Sequence, residues 1–97
     1  MKSYIMVWNG KFALSRKPIT DLLDQWGPTW DWHSPMGGCI IFTSDLSASQ
    51  LAKKFEDQIP VGGGKLFLIM ECNSNRQGRL TARAWTILSN PLNPRGQ

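Results

Sequence analysis

Two runs of helical periodicity, each boxed in by chain-breaking residues, constrain this chain most. Ile19, Leu22, Leu23 and Trp26 recur at the spacing of one face of an α-helix. Pro18 suits the first turn of that helix and Gly27-Pro28 ends it, so the spacing predicts a helix over 18–26. The second run is better marked. Ser47 is an N-cap with Gln50 three residues on, the pattern of a capping box, and Leu46 before the cap can staple onto Leu51. Ala48, Leu51, Ala52, Phe55 and Ile59 form its apolar stripe, Lys53, Lys54, Glu56 and Asp57 face away, and Pro60 stops it. Helices this short do not hold in water unless their apolar stripes are buried.

The segments between supply what they pack on. Tyr4-Ile5-Met6-Val7-Trp8 is a short apolar run closed by the turn signal Asn9-Gly10, and it reads as a central strand. Thr29–His33 alternates and Cys39–Thr43 is β-branched and apolar, so the two read as a hairpin joined through Ser34–Gly38. Gly62-Gly63-Gly64 leads into a strand over Lys65–Cys72, a polar loop follows, and Ala82–Leu88 reads as a last strand. The expected fold class is therefore α+β: a ferredoxin-like βαββαβ unit with an extra C-terminal strand, its antiparallel sheet covered by two helices on one face. Residues 1–90 make a single domain, and 91–97, with Pro91 and Pro94, a flexible C-terminal tail. A sheet face left bare of helices points to a homodimer, with Trp85, Ile87 and Leu88 of the last strand at the interface.

Charge is unevenly placed. Residues 1–71 hold seven Lys/Arg and seven Asp/Glu, whereas Arg76, Arg79, Arg83 and Arg95 follow without a single acid. The whole net charge of +4 thus falls in the last quarter, as expected of a chain with an anionic partner. Arg76, Arg79 and Arg83, beside Asn73, Ser74, Asn75 and Gln77, are donors suited to phosphate oxygens and form the candidate nucleic-acid-binding loop. No apolar run approaches the ~18 residues of a membrane span, so no membrane partner is expected. The first residues lack a signal-peptide shape, which gives a cytoplasmic expectation. Cys39 and Cys72 sit in apolar segments and read as reduced thiols. With one histidine and two distant cysteines, no zinc site is expected.

Catalytic patterns are sparse. Asp31 and His33 project to the same side of a strand and can pair as acid and base, at a spacing too common to be a motif. Gly62-Gly63-Gly64-Lys65 looks like a phosphate loop but follows a helix and opens a strand, the reverse of what that loop requires. Trp26 and Trp85 suit core or interface packing; Trp8, Trp30 and Trp32 are open to base stacking or protein contact.

Several pieces together resemble a known group. Tyr4 to Asn9 in the first strand, Trp26-Gly27 closing the first helix, Cys39 to Thr43, Ser47 to Gln50 opening the second helix and Leu66 to Glu71 follow the order of the small CRISPR-associated subunit that dimerises in spacer integration. The virulence-associated protein D group is similar. The resemblance spans about residues 4–88. It implies a ferredoxin-like homodimer whose C-terminal strand completes the partner's sheet, contact with DNA or RNA and, in some relatives, a magnesium-dependent nuclease whose metal-binding Asp ends the first strand. Asn9 stands at that place, and a neutral amide is a poorer magnesium ligand than a carboxylate. The leading expectation is a nucleic-acid-associated homodimer without strong nuclease activity and without a cofactor. One alternative is a protein-interaction module, a small regulator or phage-derived inhibitor, using Trp30 and Trp32. Another is a weak metal-dependent ribonuclease. Whether the chain is an enzyme is left open by the residues.

Overall fold

In the computed structural model, which describes residues 1–59, 62–73, 78 and 82–89, the chain opens with strand β1 (Lys2–Trp8). Helix α1 (Lys17–Trp26), strands β2 (Trp32–Met36) and β3 (Cys39–Ser44), helix α2 (Ala48–Gln58), strand β4 (Phe67–Glu71) and helix α3 (Ala82–Ser89) follow. The sheet order is β2-β3-β1-β4 and every pairing is antiparallel. Helices α1 and α2 thus each link two parallel strands with a third, antiparallel one between them, which is the ferredoxin-like α+β plan.

Strand alternation divides the sheet into two faces. Tyr4 and Met6 of β1 lie opposite Phe42 and Ile40 of β3 and point to one face. There they form one buried cluster with Ile19 and Leu23 of α1 and Leu51 and Phe55 of α2. The rings of Tyr4 and Phe42 stack at 5.6 Å, and Trp26 meets Phe55 edge-on at 4.8 Å. Burying a side chain such as Phe55 contributes roughly 2–3 kcal/mol. The capping box of α2 is complete: the Gln50 amide donates to Ser47 Oγ at 3.1 Å and the Ser47 amide donates to Gln50 Oε1 at 2.9 Å. Gly27 ends α1 for a steric reason. A Cβ there would lie 2.0 Å from the Trp30 indole, which is buried beneath it.

Two expectations are corrected. The residues read as a last strand, Ala82–Leu88, lie in helix α3. Ala84, Ile87 and Leu88 fall at i, i+3 and i+4, a helical stripe that a short apolar run conceals. This stripe packs on Ile41, on the sheet face opposite α1 and α2, and Ser3 Oγ donates to the Ile87 carbonyl at 2.9 Å. The second face is therefore partly covered by the chain itself. The hairpin is also displaced. Its first strand runs Trp32–Met36 rather than 29–33, and only Gly37 and Gly38 turn the chain, with Gly38 at φ +70°. Pro35 reads as a breaker, but β2 is an edge strand, where a missing N–H is tolerated. The tail expected at 91–97 lies outside the described residues.

Candidate anion-binding cleft

The end of β1 is organised by Asn9. Its Nδ2 donates to the Gly64 carbonyl at 2.8 Å, while its Oδ1 accepts from the Phe12 amide at 3.1 Å and the Leu66 amide at 3.2 Å. One side chain thereby ties the strand end to the loop after it and to the connector before β4. Both lone pairs of the oxygen are engaged. Lys11 leans over Gly64, so the surroundings are cationic. These residues do not fit a magnesium ion: the carboxamide oxygen of Asn9 is neutral and is committed to two amides. Among the described residues no three His, Cys, Asp or Glu side chains gather to hold a metal.

Beside this clasp lies a cleft of about 600 Å³. Trp8 and Asn9 form its floor, Leu14, Ser15, Arg16 and Lys17 one wall, and Ser34, Met36 and the Gly37-Gly38 turn the other. Among the described residues no acidic side chain lines it. The start of α1 opens into this cleft in an unusual electrostatic state. Arg16 occupies the cap position without a side-chain hydrogen bond to the helix, Lys17 follows, and the first turn contains no acid. A helix N-terminus carries a partial positive charge and ordinarily attracts Asp, Glu or a capping hydroxyl. Here two cations are added to it, and Lys17 is offset by Asp21 in an exposed pair at 3.1 Å. The contrast with α2, closed by its own Ser47 and Gln50, is direct. Leu14 is 97% exposed at the rim and Met36 is exposed opposite. The arrangement offers positive charge and an indole together, while the Ile19 and Thr20 amides of the first turn donate to the Arg16 carbonyl at 2.9 Å.

The residues singled out in the sequence are dispersed. Arg76 and Arg79 lie outside the described residues, as does the side chain of Trp85. Arg83, on α3, forms an ion pair with Asp31, whose Oδ1 also accepts the Trp32 amide at 3.0 Å. Asp31 is thus a fastening for α3. Ile87 and Leu88, expected between copies, are buried within the chain. Trp30 is core, and Trp32 donates from its indole to Asp24 at 2.9 Å. The glycine connector behaves as a helix-to-strand link: Gly62, Gly63 and Gly64 all have positive φ, and the Lys65 amide returns to the Gly62 carbonyl. Among the described residues Cys39 and Cys72 form no disulfide, and burial pushes the Cys39 thiol up. Among the described residues no helix is long and apolar enough to cross a membrane. The cleft itself was passed over in the sequence, although Arg16-Lys17-Pro18 with no acid before Asp21 was its signal. Compared with protein-family models, curated proteins and solved structures, the chain matches none.

Proposed function

We propose that this domain is a nucleic-acid-associated homodimer that holds a strand by its phosphates and does not cleave it. The observation that carries the reading is the cleft at the start of α1, where Arg16 and Lys17 stand beside Trp8 and no acidic side chain is found among the described lining residues. Phosphate is an anion that suits two adjacent cations, and a nucleobase is the flat group an indole accepts. Arg76 and Arg79 add positive charge to the sequence; Arg83 has a structural partner in Asp31. The resemblance to the CRISPR-associated small subunit and the virulence-associated protein D group agrees with a nucleic-acid partner. Magnesium-dependent cleavage is set against by Asn9, whose oxygen is already shared between two amides. An interaction module acting through Trp30 and Trp32 is disfavoured, because Trp30 is core and Trp32 is tied to Asp24.

The test is binding of labelled single- and double-stranded DNA and RNA at two salt concentrations. Affinity should fall steeply with salt, and Arg16→Ala with Lys17→Ala should lower the logarithmic salt slope by about 1.5–2. Absence of binding by the wild type at low salt, or a double variant with unchanged affinity and slope, overturns the reading.

A further inference from the structure

The two edges of the sheet are finished in different ways. Proteins protect exposed edges with proline, irregular pairing, inward charges or a covering element. β2 has such devices: Pro35 within it and a register break between His33 and Met36. β4, Phe-Leu-Ile-Met-Glu, has no proline, no lysine and no break in its pairing with β1.

Along β4, the last strand in the sheet order, the backbone pattern is regular. The Asn9 amide donates to the Leu66 carbonyl at 3.1 Å and the Cys72 amide to the Ser3 carbonyl at 2.8 Å. Backbone bonding alternates along an antiparallel strand, so even-numbered residues of β4 bond to β1. The N–H and C=O groups of Phe67, Ile69 and Glu71 therefore point out of the sheet. Leu68 and Met70, each 52% exposed, and Val7, 41% exposed, form an apolar strip on the α3 side of that edge.

We infer that β4 pairs antiparallel with β4 of a second copy, about a twofold axis through Ile69. The inference rests on the homodimer reading and specifies its surface. In this register Ile69 faces its own counterpart and Phe67 faces Glu71 of the second copy, so every outward backbone group finds a partner. Leu68 comes to lie across from Met70 of the second copy, which closes the apolar strips on each other. Charge agrees with the register. Lys65 lies diagonally across from Glu71 of the second copy, within reach of long side chains, and the symmetry makes this pair twice. The helical state of Ala82–Ser89 takes away the C-terminal strand expected to fill a partner's edge. β4 then meets β4 directly, and two four-stranded sheets become one.

Light scattering on the full chain tests this. The wild type should have the mass of a dimer. Ile69→Pro deletes only an N–H that points away from β1, so it should give a monomer with native circular dichroism. Because Ile69 also borders the core, a charge reversal provides a second measurement. Lys65→Glu should weaken dimerisation about fivefold. Adding Glu71→Lys together with Lys2→Glu, which keeps the Lys2–Glu71 pair in reversed sense, should restore it. A monomeric wild type overturns the homodimer reading itself. A dimer that persists unchanged in folded Ile69→Pro, or is indifferent to Lys65→Glu, leaves the homodimer standing and overturns this surface.

Discussion

On one face of the sheet, Tyr4, Met6, Ile40 and Phe42 meet two helices and aromatic rings interlock; on the other, Ile41 meets Ala84, Ile87 and Leu88 of α3 in a smaller apolar cluster. The first face is held by apolar area. The second relies on a small apolar contact supplemented by polar fastenings: Ser3 to the Ile87 carbonyl, and Arg83 to Asp31. The difference teaches that the fold and its third helix are separable in energy. Opening the first face exposes the core of the domain, whereas α3 can lift while the four strands stay paired.

Four measurements break or sharpen this contrast. Phe55→Ala should lower global stability by about 3–5 kcal/mol in denaturant unfolding, since the cavity forms between α2 and the sheet. A loss confined to one helix would contradict the primacy of that face. Ile87→Ala should have a lesser effect, about 2 kcal/mol, seen in hydrogen exchange as lost protection in α3 while β1 and β3 amides remain protected. Equal loss of protection in β1 would join the two faces into one cooperative unit. Arg83→Ala should weaken α3 docking by under about 1 kcal/mol, because the guanidinium is half-exposed and solvent screens the pair. Its effect should shrink further in high salt.

The smallest effect concerns alkaline pH. Burial pushes the Tyr4 phenol up, and its hydroxyl donates to the Leu46 carbonyl at 2.6 Å. Below pH about 10 the phenol is neutral in both folded and unfolded chains, so nothing changes. Above that value the unfolded chain releases the proton first, and stability falls as pH rises. Lys2 acts in the same direction: the hydrogen bond and charge of Glu71 raise its pKa, so its stabilisation is present below the unfolded value and lost as pH climbs through the folded one. Tyr4→Phe should flatten the alkaline decline of thermal midpoint without abolishing it. An unchanged slope would remove Tyr4 from the account.

What the sequence revealed followed how local its signals were. The capping box of Ser47 and Gln50 and the stripe of α2 are written in consecutive residues, and they appear as read. The fold class followed from the order of such segments. The misreadings fell where a segment's conformation depends on distant neighbours. Residues 82–88 satisfy an apolar-run reading and a helical stripe equally well; the open sheet face beside Ile41 selects the helix. Pro35 is acceptable in β2 only because that strand lies at an edge. Of the candidate site, the arginines were visible as composition, but Arg83 is joined to Asp31 across 52 residues, which no local pattern announces. The cleft was hidden for a similar reason: its walls come from the loop before α1 and from the hairpin turn, brought together by β1 and β3.

The clasp made by Asn9 also bears on how the chain ages. Asn9 precedes Gly10, the pairing most prone to lose its amide nitrogen, because a glycine amide meets no side chain when it attacks the neighbouring carboxamide carbon. Ring closure needs the carboxamide to swing onto that amide, and here three hydrogen bonds hold it elsewhere. Deamidation therefore waits on local opening of this end, and the slow appearance of aspartate or isoaspartate at position 9 becomes a chemical clock for that motion. Once it has occurred, the carboxylate can no longer donate to the Gly64 carbonyl, and a negative charge stands beside Lys11.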